Sequence, residues 1–344
     1  MSKKQVTFAD IAEYTNFSKT TISRYFNHPD SLTLENQEKI SQALDILGYK
    51  KNKLAKVLAN GKSEFIGIII PNLYLHYYSE MLNQILSSYS DYHYKFLVFV
   101  STNDSEQEIQ YIDELMAYKI EGLIVLSHTL SSEKLASYKI PTVAIEREDE
   151  HICSVNTDNY MGAVQATSLL IRNKSDVLIH INVPVPEHIP AYNRIRGFED
   201  TCKEHHIPYE LVLRDMGSTY ESTFAQIKSI FLEIEEKYPD KKKGIFLSND
   251  TYAIIFLNLI FQKYGTLPDA YEIVGFDNSP IASEAILPLT TIGQQIDVIA
   301  NTAMDLLVSQ MDEMKKRKPS PLKSPIHKQI TPVLIRRATT RTDQ

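Results

Sequence analysis

The sequence predicts an α/β protein: a three-helix helix-turn-helix domain at residues 1–49, a short hinge at 50–62, and a core at 63–344 of parallel sheets flanked by helices. Three observations lead there. The stretch VTFADIAEYTNFSKTTISRYFN (6–27) holds two short helical patterns joined by a three-residue turn. Residues 1–62 carry ten Lys/Arg and six Asp/Glu, a net +4, whereas the remaining 26 basic and 37 acidic residues give −11. Beyond Ser63, short apolar runs alternate with amphipathic stretches, the pattern of strands buried on both faces beneath helices.

In the head, Thr7 is placed to cap a first helix, with Asp10 at the third helical position and Phe8, Ile11 and Ala12 at helical spacing. That helix stops near Tyr14. After Thr15, Asn16 and Phe17, Ser18 is a second N-cap, and Ile22 with Phe26 gives the next helix its buried stripe. Lys19, Thr20, Ser23 and Arg24 occupy the other face. Thr33 caps a third helix with a stripe of Ile40, Ala43, Leu44 and Leu47, ended by Gly48. A lone Ser/Lys/Thr/Arg face is usually just a solvated surface. In this register it becomes a helix whose first two turns enter a DNA major groove, where an Arg reaches the two acceptors of guanine. Phosphate neutralisation favours the +4 head over the −11 body as the part that touches the duplex. The five Lys and no acid in KKNKLAKVLANGK (50–62) read, on composition, as a basic linker.

In the core, the expected strands are Phe65 to Ile70, Lys95 to Val100, Gly122 to Leu126, Thr142 to Ile145, Val177 to Ile181, Gly244 to Leu247 and Tyr271 to Gly275. Ser105 with Glu108 reads as a capping-box start of a helix carrying Ile109, Ile112 and Leu115, and Asp250 opens an apolar helix ending near Tyr264. About 280 residues of this pattern exceed one typical domain, so two similar lobes are expected. Ligands in such folds lie outside the carboxyl ends of parallel strands. The strand-end polar residues are then Tyr74, His76, Tyr77 and Tyr78, Ser127 and His128, Glu146 and Arg147, Asn193 and Arg194, Ser248 to Asp250, and Asp277 and Asn278.

The head stretch and GYKKNKLAKVLANGKSEFIGIIIP after it resemble the start of lactose-repressor-type (LacI/GalR family) transcription regulators, and the likeness runs the length of the chain. It implies a periplasmic-binding-protein-like core, with lobe 1 at about 63–159 and 295–321 and lobe 2 at about 160–294 and 322–344. Thr7, Ser18, Thr21, Ser23, Asn27 and Thr33 would hold phosphates, and Lys19, Thr20 and Arg24 would read bases. A hinge helix from Asn52 to Ala59 would form only on DNA, with Ala55 allowing two copies to approach and Leu58 wedged into the minor groove. Lys51 replaces the family's usual Pro there.

The resemblance further implies an effector site of Tyr74, Tyr77, Tyr78, Ser127, Glu146, Arg194 (in RIRGF), Asn249, Asp277 and Gln294, the last on a lobe crossover. Carboxylates, amides and a guanidinium suit ring hydroxyls, and aromatic faces suit a sugar ring. Two departures bear on the effector: Lys174-Ser175 stands where the family often has Gly-His, and an aromatic often found near Ser218 is absent. STNDSEQEIQYIDELMAYKIEGLIVLSH and VNTDNYMGA lean towards the sucrose-operon type. A fructose-containing sugar or other oligosaccharide, free or phosphorylated, would follow, a phosphate being met by Arg147, Arg194 or Arg196.

The implied protein is a homodimeric carbohydrate-operon repressor on a pseudo-palindromic operator, released by a sugar or sugar-phosphate; the opposite sign, tightening by a corepressor or a phosphorylated carrier protein, is equally open. A sugar-binding transport receptor would lack the head. An enzyme is not expected: no G-x-x-x-x-G-K or G-x-G-x-x-G occurs among the 11 Gly. No cofactor or metal is called for, because His76 and His128 have no second ligand at metal spacing. Two distant Cys, no signal peptide and no long apolar run point to the cytoplasm and away from a membrane. KKRKPSPLKSP (315–325) reads as a solvated connector near the last lobe crossing, and ITPVLIRRATTRTDQ holds no sustained heptad, so no tetramerising tail is expected.

Overall fold

A computed structural model describes residues 6–49, 63–101, 104–147, 150–320, 322 and 324–341. It divides into two compact units, Met1–Lys62 and Ser63–Gln344. The expectations for Asn52, Ala55 and Leu58 lie outside the described residues.

In the first unit, α1 (Phe8–Thr15), α2 (Lys19–Asn27) and α3 (Leu34–Leu47) pack around Ile11, Ile22 and Ile40, all fully buried. Burying one such side chain contributes about 1.5–3 kcal/mol. Each helix start is capped as the side chains dictate. Thr7 and Asp10 form a reciprocal capping box, Ser18 Oγ accepts the Thr21 N–H at 3.1 Å, and Thr33 Oγ1 accepts that of Asn36 at 3.4 Å. Asn16 (φ 58°) and Gly48 (φ 60°) end α1 and α3 in the left-handed conformation that Asn and Gly tolerate. Phe8 stacks on Phe26 at 5.1 Å, tying α1 to α2.

The second unit holds two six-stranded sheets. The first runs in the order β11-β5-β4-β3-β1-β2, from β1 (Phe65–Ile70), β2 (Lys95–Val100), β3 (Gly122–Val125), β4 (Thr142–Ile145), β5 (Cys153–Thr157) and β11 (His327–Ile330), all parallel. The second runs in the order β12-β10-β9-β8-β6-β7, from β6 (Val177–Asn182), β7 (Tyr209–Leu213), β8 (Lys243–Leu247), β9 (Tyr271–Asp277), β10 (Thr290–Gly293) and β12 (Val333–Ile335), with only β12 antiparallel. In chain order the helices are α4 (His76–Ser87), α5 (Tyr89–Tyr92), α6 (Ser105–Ala117), α7 (Ser132–Ala136), α8 (Asn159–Arg172), α9 (Tyr192–Glu204), α10 (Tyr220–Lys237), α11 (Asp250–Tyr264), α12 (Pro280–Glu284) and α13 (Ile296–Met314). Separate apolar clusters fill the two faces of each sheet.

All seven expected core strands are present, with ends shifted by a residue or two. The sequence reading missed β5, β7, β10 and β11, while the C-terminal strand expected around Pro332 to Arg336, after a last crossing, is β12. Because β11 pairs with β5, the first lobe extends past residue 321 and the last crossing falls between Ile330 and Val333, so giving 322–344 wholly to the second lobe was wrong. The helix expected to begin with a Ser105–Glu108 capping box is capped instead by Asp104, whose carboxylate accepts the Glu106 and Gln107 N–H groups. Glu108 points inward, where Ser101 and Ser127 donate to it at 2.6 and 2.7 Å. Lys174 adopts φ 58°, the conformation a glycine would take without strain, so the chain keeps that turn at a backbone cost.

Candidate functional site

On α2 the exposed face is made by Lys19, Thr20 and Arg24, while Ile22 on the opposite side is fully buried. The helix N-terminus, its positive dipole end, is flanked by the Ser18 and Thr21 hydroxyls, 2.9 Å apart. Asn27 donates to Ser23 at 3.2 Å, and Thr7 and Thr33 are exposed at the starts of α1 and α3. The face is open, basic and rigidly backed, as a groove-reading helix must be.

In the core, both sheets reverse their strand order, at β1/β3 and at β6/β8, and the side chains outside the strand ends converge. Glu146, just past β4, is buried; its carboxylate accepts the Thr157 N–H at 2.6 Å and the Asn159 amide at 2.8 Å. Asn159 in turn accepts Arg194 Nε at 2.7 Å, and Arg194 also donates to the Ser248 carbonyl at 2.6 Å. The guanidinium carbon lies 3.8 Å from the centre of the Phe276 ring. Gly197, three residues along α9, lets this helix approach α8: a Cβ there would stand 2.5 Å from the Tyr160 carbonyl oxygen.

Asp277 closes the other side. Gln294 donates to it at 2.5 Å and accepts the Thr157 hydroxyl at 2.6 Å, so residues of two crossover segments are joined. Behind it Asp250 is fully buried, accepting from Ser279 N–H (2.8 Å), Ser279 Oγ (3.1 Å) and Thr291 Oγ1 (2.6 Å). A Cβ on Gly275 would sit 2.4 Å from Asp250 Oδ1, so only glycine lets the carboxylate lie against β9. Burial pushes Asp250 up to about 7 against its hydrogen-bond donors and Arg337. Burial, then the Asp250 charge, raises Asp277 well above the usual carboxylate range, with Arg194 opposing. With one donor against three, Asp277 is the member of the pair that keeps the proton. Glu146 (φ 57°), Asp277 (φ 116°) and Asn278 (φ 54°) all have positive φ, a backbone cost concentrated at the cleft.

Tyr77 is buried, and its hydroxyl has no protein partner among the described residues. Burial raises its pKa, followed by the Glu146 and Asp277 charges; Tyr78 is raised by burial and then by Asp277. Burial raises the Tyr252 pKa and nearby Tyr74 and Tyr78 add to it, so Tyr252 stands close to the tyrosines at the start of α4. Tyr74 reaches the Gly217 carbonyl at 3.5 Å, and His76 meets the Thr251 hydroxyl through its backbone N–H (3.2 Å) and Nδ1 (3.0 Å), linking lobe to lobe.

Two expected ligand residues are otherwise engaged. The Ser127 hydroxyl turns away to buried Glu108, because the position after β3 points into the first lobe rather than the cleft. Asn249 spends its carbonyl oxygen capping α11 through the Tyr252 N–H at 2.8 Å, and its side chain also hydrogen-bonds the Tyr252 hydroxyl. Thr157, Asn159 and Tyr252 were missed as cleft residues, whereas Asp250 was among the expected strand-end residues; the Asp-Asn at the head of α8 was the available signal for Asn159. Among the described residues no group of three or more His, Cys, Asp or Glu could hold a metal, and no helix is long and apolar enough to cross a membrane.

A head with an exposed reading helix, followed by a core with two parallel sheets and a polar cleft, defines a ligand-responsive DNA-binding regulator. Residues 7–52 match the bacterial regulatory proteins of the lacI family, and residues 177–340 match the periplasmic binding protein-like domain. The chain is 29% identical over 307 residues to the sucrose operon repressor of Streptococcus mutans serotype c, covering 88% of this chain and 92% of that one. It is 26% identical over 308 residues to the ribose operon repressor of Halalkalibacterium halodurans, covering 89% and 91%. The lac repressor dimer bound to operator and an anti-inducer shares the fold, with a TM-score of 0.81 at 22% identity over 98% of this chain and 100% of that chain. The chain thus joins a lacI-family DNA-binding head to a periplasmic binding protein-like core, and over most of its length it is similar to operon repressors.

Proposed function

We propose that the chain is a cytoplasmic homodimeric repressor of a carbohydrate-utilisation operon, and that an uncharged sugar in the cleft releases it from its operator. Lys19, Thr20 and Arg24 read base edges in successive major-groove half-sites; Thr7, Ser18, Thr21, Ser23, Asn27 and Thr33 hold phosphates; Asn52, Ala55 and Leu58 form the paired hinge at the operator centre. The three parts are the head at 1–49, the hinge at 50–62 and the core from 63 onward.

The observation that carries the effector reading is the buried set Glu146–Asn159–Arg194 and Asp277–Gln294, joined by crossover residue Thr157. It offers acceptors and amides for ring hydroxyls and, with Tyr74, Tyr77, Tyr78 and Tyr252, aromatic surface for the ring faces. A phosphate is disfavoured. Arg147 donates to the carbonyls of Ser127 and Leu130, Arg194 to Asn159 and Ser248, and Arg196 is exposed beside Asn193, while Asp250 and Glu146 supply negative charge. The relatives named for sucrose and ribose operons support the sugar class.

The test is a gel shift at fixed salt on DNA flanking the gene, with sucrose, D-fructose, D-ribose and their phosphates. Release by an uncharged sugar is expected. Release only by a phosphate ester refutes the neutral-ligand reading. Tightening by a sugar, or a response only to a phosphorylated carrier protein, refutes induction by release.

A further inference from the structure

The segment from Arg337 to Arg341 threads back through the second lobe. Thr339 accepts the Thr290 N–H (2.9 Å) and donates to the Ile273 carbonyl (2.8 Å), while its own carbonyl accepts the Ile273 N–H (2.9 Å). Thr340 and Thr290 hydroxyls lie 2.8 Å apart, and the Arg341 N–H reaches buried Glu272 at 3.0 Å. Anchored on both sides, half-buried Arg337 has its backbone N–H on Thr290 Oγ1 (2.8 Å) and its guanidinium on the Leu289 carbonyl (2.8 Å) and the Asn278 side-chain oxygen (2.6 Å). Asn278 follows Asp277, and the two have consecutive positive φ values of 116° and 54°. The Asn278 N–H has only a long contact, 3.4 Å, to Thr291 Oγ1, itself committed to Asp250. Such a turn persists only where its surroundings over-determine it.

We propose that Arg337 is a positioning residue for the effector carboxylate: its guanidinium holds the left-handed Asp277–Asn278 turn from outside the cleft and so aims Asp277 at the ligand. This rests on the reading of the cleft as the sugar site. Arg337 also contributes positive charge behind a group of acids. The charged and titratable groups facing Asp277 are Asp250 from α11, Glu146 after β4, Arg194 from α9 and Tyr77 and Tyr78 from α4, with Arg337 acting on Asp250 from the tail. Removing it leaves the pair with less to offset its charge.

The test uses the full chain with Arg337→Met, Arg337→Lys and, as a control for general loosening of the tail, Arg341→Met. Without ligand, amide hydrogen exchange at 276–280 is expected to rise about tenfold in Arg337→Met, less in Arg337→Lys, and to stay at the wild-type rate in Arg341→Met. With sucrose, D-fructose and D-ribose as probes, the sugar that binds the wild type is expected to bind Arg337→Met roughly tenfold more weakly, and the pH at which binding is half lost should move up. Equal exchange in Arg337→Met and Arg341→Met, with an unshifted pH profile, overturns the proposal. If no probe binds the wild type, that counts against the sugar reading, and the exchange comparison still decides the role of Arg337.

Discussion

Gln294 Nε2 stands 2.5 Å from Asp277 Oδ1, and this is the one side-chain donor that the buried carboxyl has from its own protein among the described residues. Burial and the neighbouring Asp250 hold Asp277 in its protonated form. Ring hydroxyls donating to it would favour the ionised form, so binding should release a proton. Effector affinity is therefore expected to rise with pH above the ordinary carboxylate range and to approach a tenfold change per pH unit where a full proton is lost. Titration calorimetry in two buffers of different ionisation enthalpy measures the proton count; uptake rather than release would contradict the assignment.

Asp250 makes a separate prediction about stability. Its folded value, about 7, lies above the ordinary carboxylate value, so its favourable contribution is complete at pH below about 4 and is lost as pH rises through about 7. Asp250→Asn keeps an oxygen for the Ser279 N–H and offers the Thr291 hydroxyl an amide donor. Thermal unfolding of this variant should lose much of the wild type's decline in stability from pH 4 to 7. A pH dependence identical to wild type would show that the carboxyl titrates normally.

The acids and Arg194 were legible because strand ends and short motifs locate them without knowledge of packing. Asn159 was not, since its value lies in being reached by Glu146 from one lobe and Arg194 from the other. Ser127 failed for a local reason: at a strand end, one residue of register decides whether a side chain faces cleft or core. The missed strands share a weakness of signal. β5 (CSVNT) is buried yet polar and β11 (HKQI) is a largely exposed edge, so neither shows apolar alternation. The head was read nearly to the residue because caps, turn and stripe are all local there.

Arg24 is exposed on α2 and free to enter a groove. Arg24→Ala is expected to weaken specific operator binding roughly 5- to 150-fold, with non-specific binding reduced far less and sugar binding unchanged. Competition gel shifts against random-sequence DNA separate these quantities. Retained operator preference would remove Arg24 from the reading set.

Arg194→Lys tests whether charge alone suffices in the cleft. The guanidinium presents Nε to Asn159 and NH1 to the Ser248 carbonyl while stacking on Phe276, three contacts in fixed directions. An ammonium has the same charge but neither the fork nor the flat face. It would leave at least one buried partner unmet, a loss on the order of 1–3 kcal/mol. Sugar-induced release should therefore need at least about tenfold more sugar, while operator affinity without sugar stays at the wild-type level, because the head carries it. If the Arg194→Lys variant responded to sugar like the wild type, Arg194 would be a charge-neutralising residue for Glu146 and Asp277 and not a ligand-orienting one.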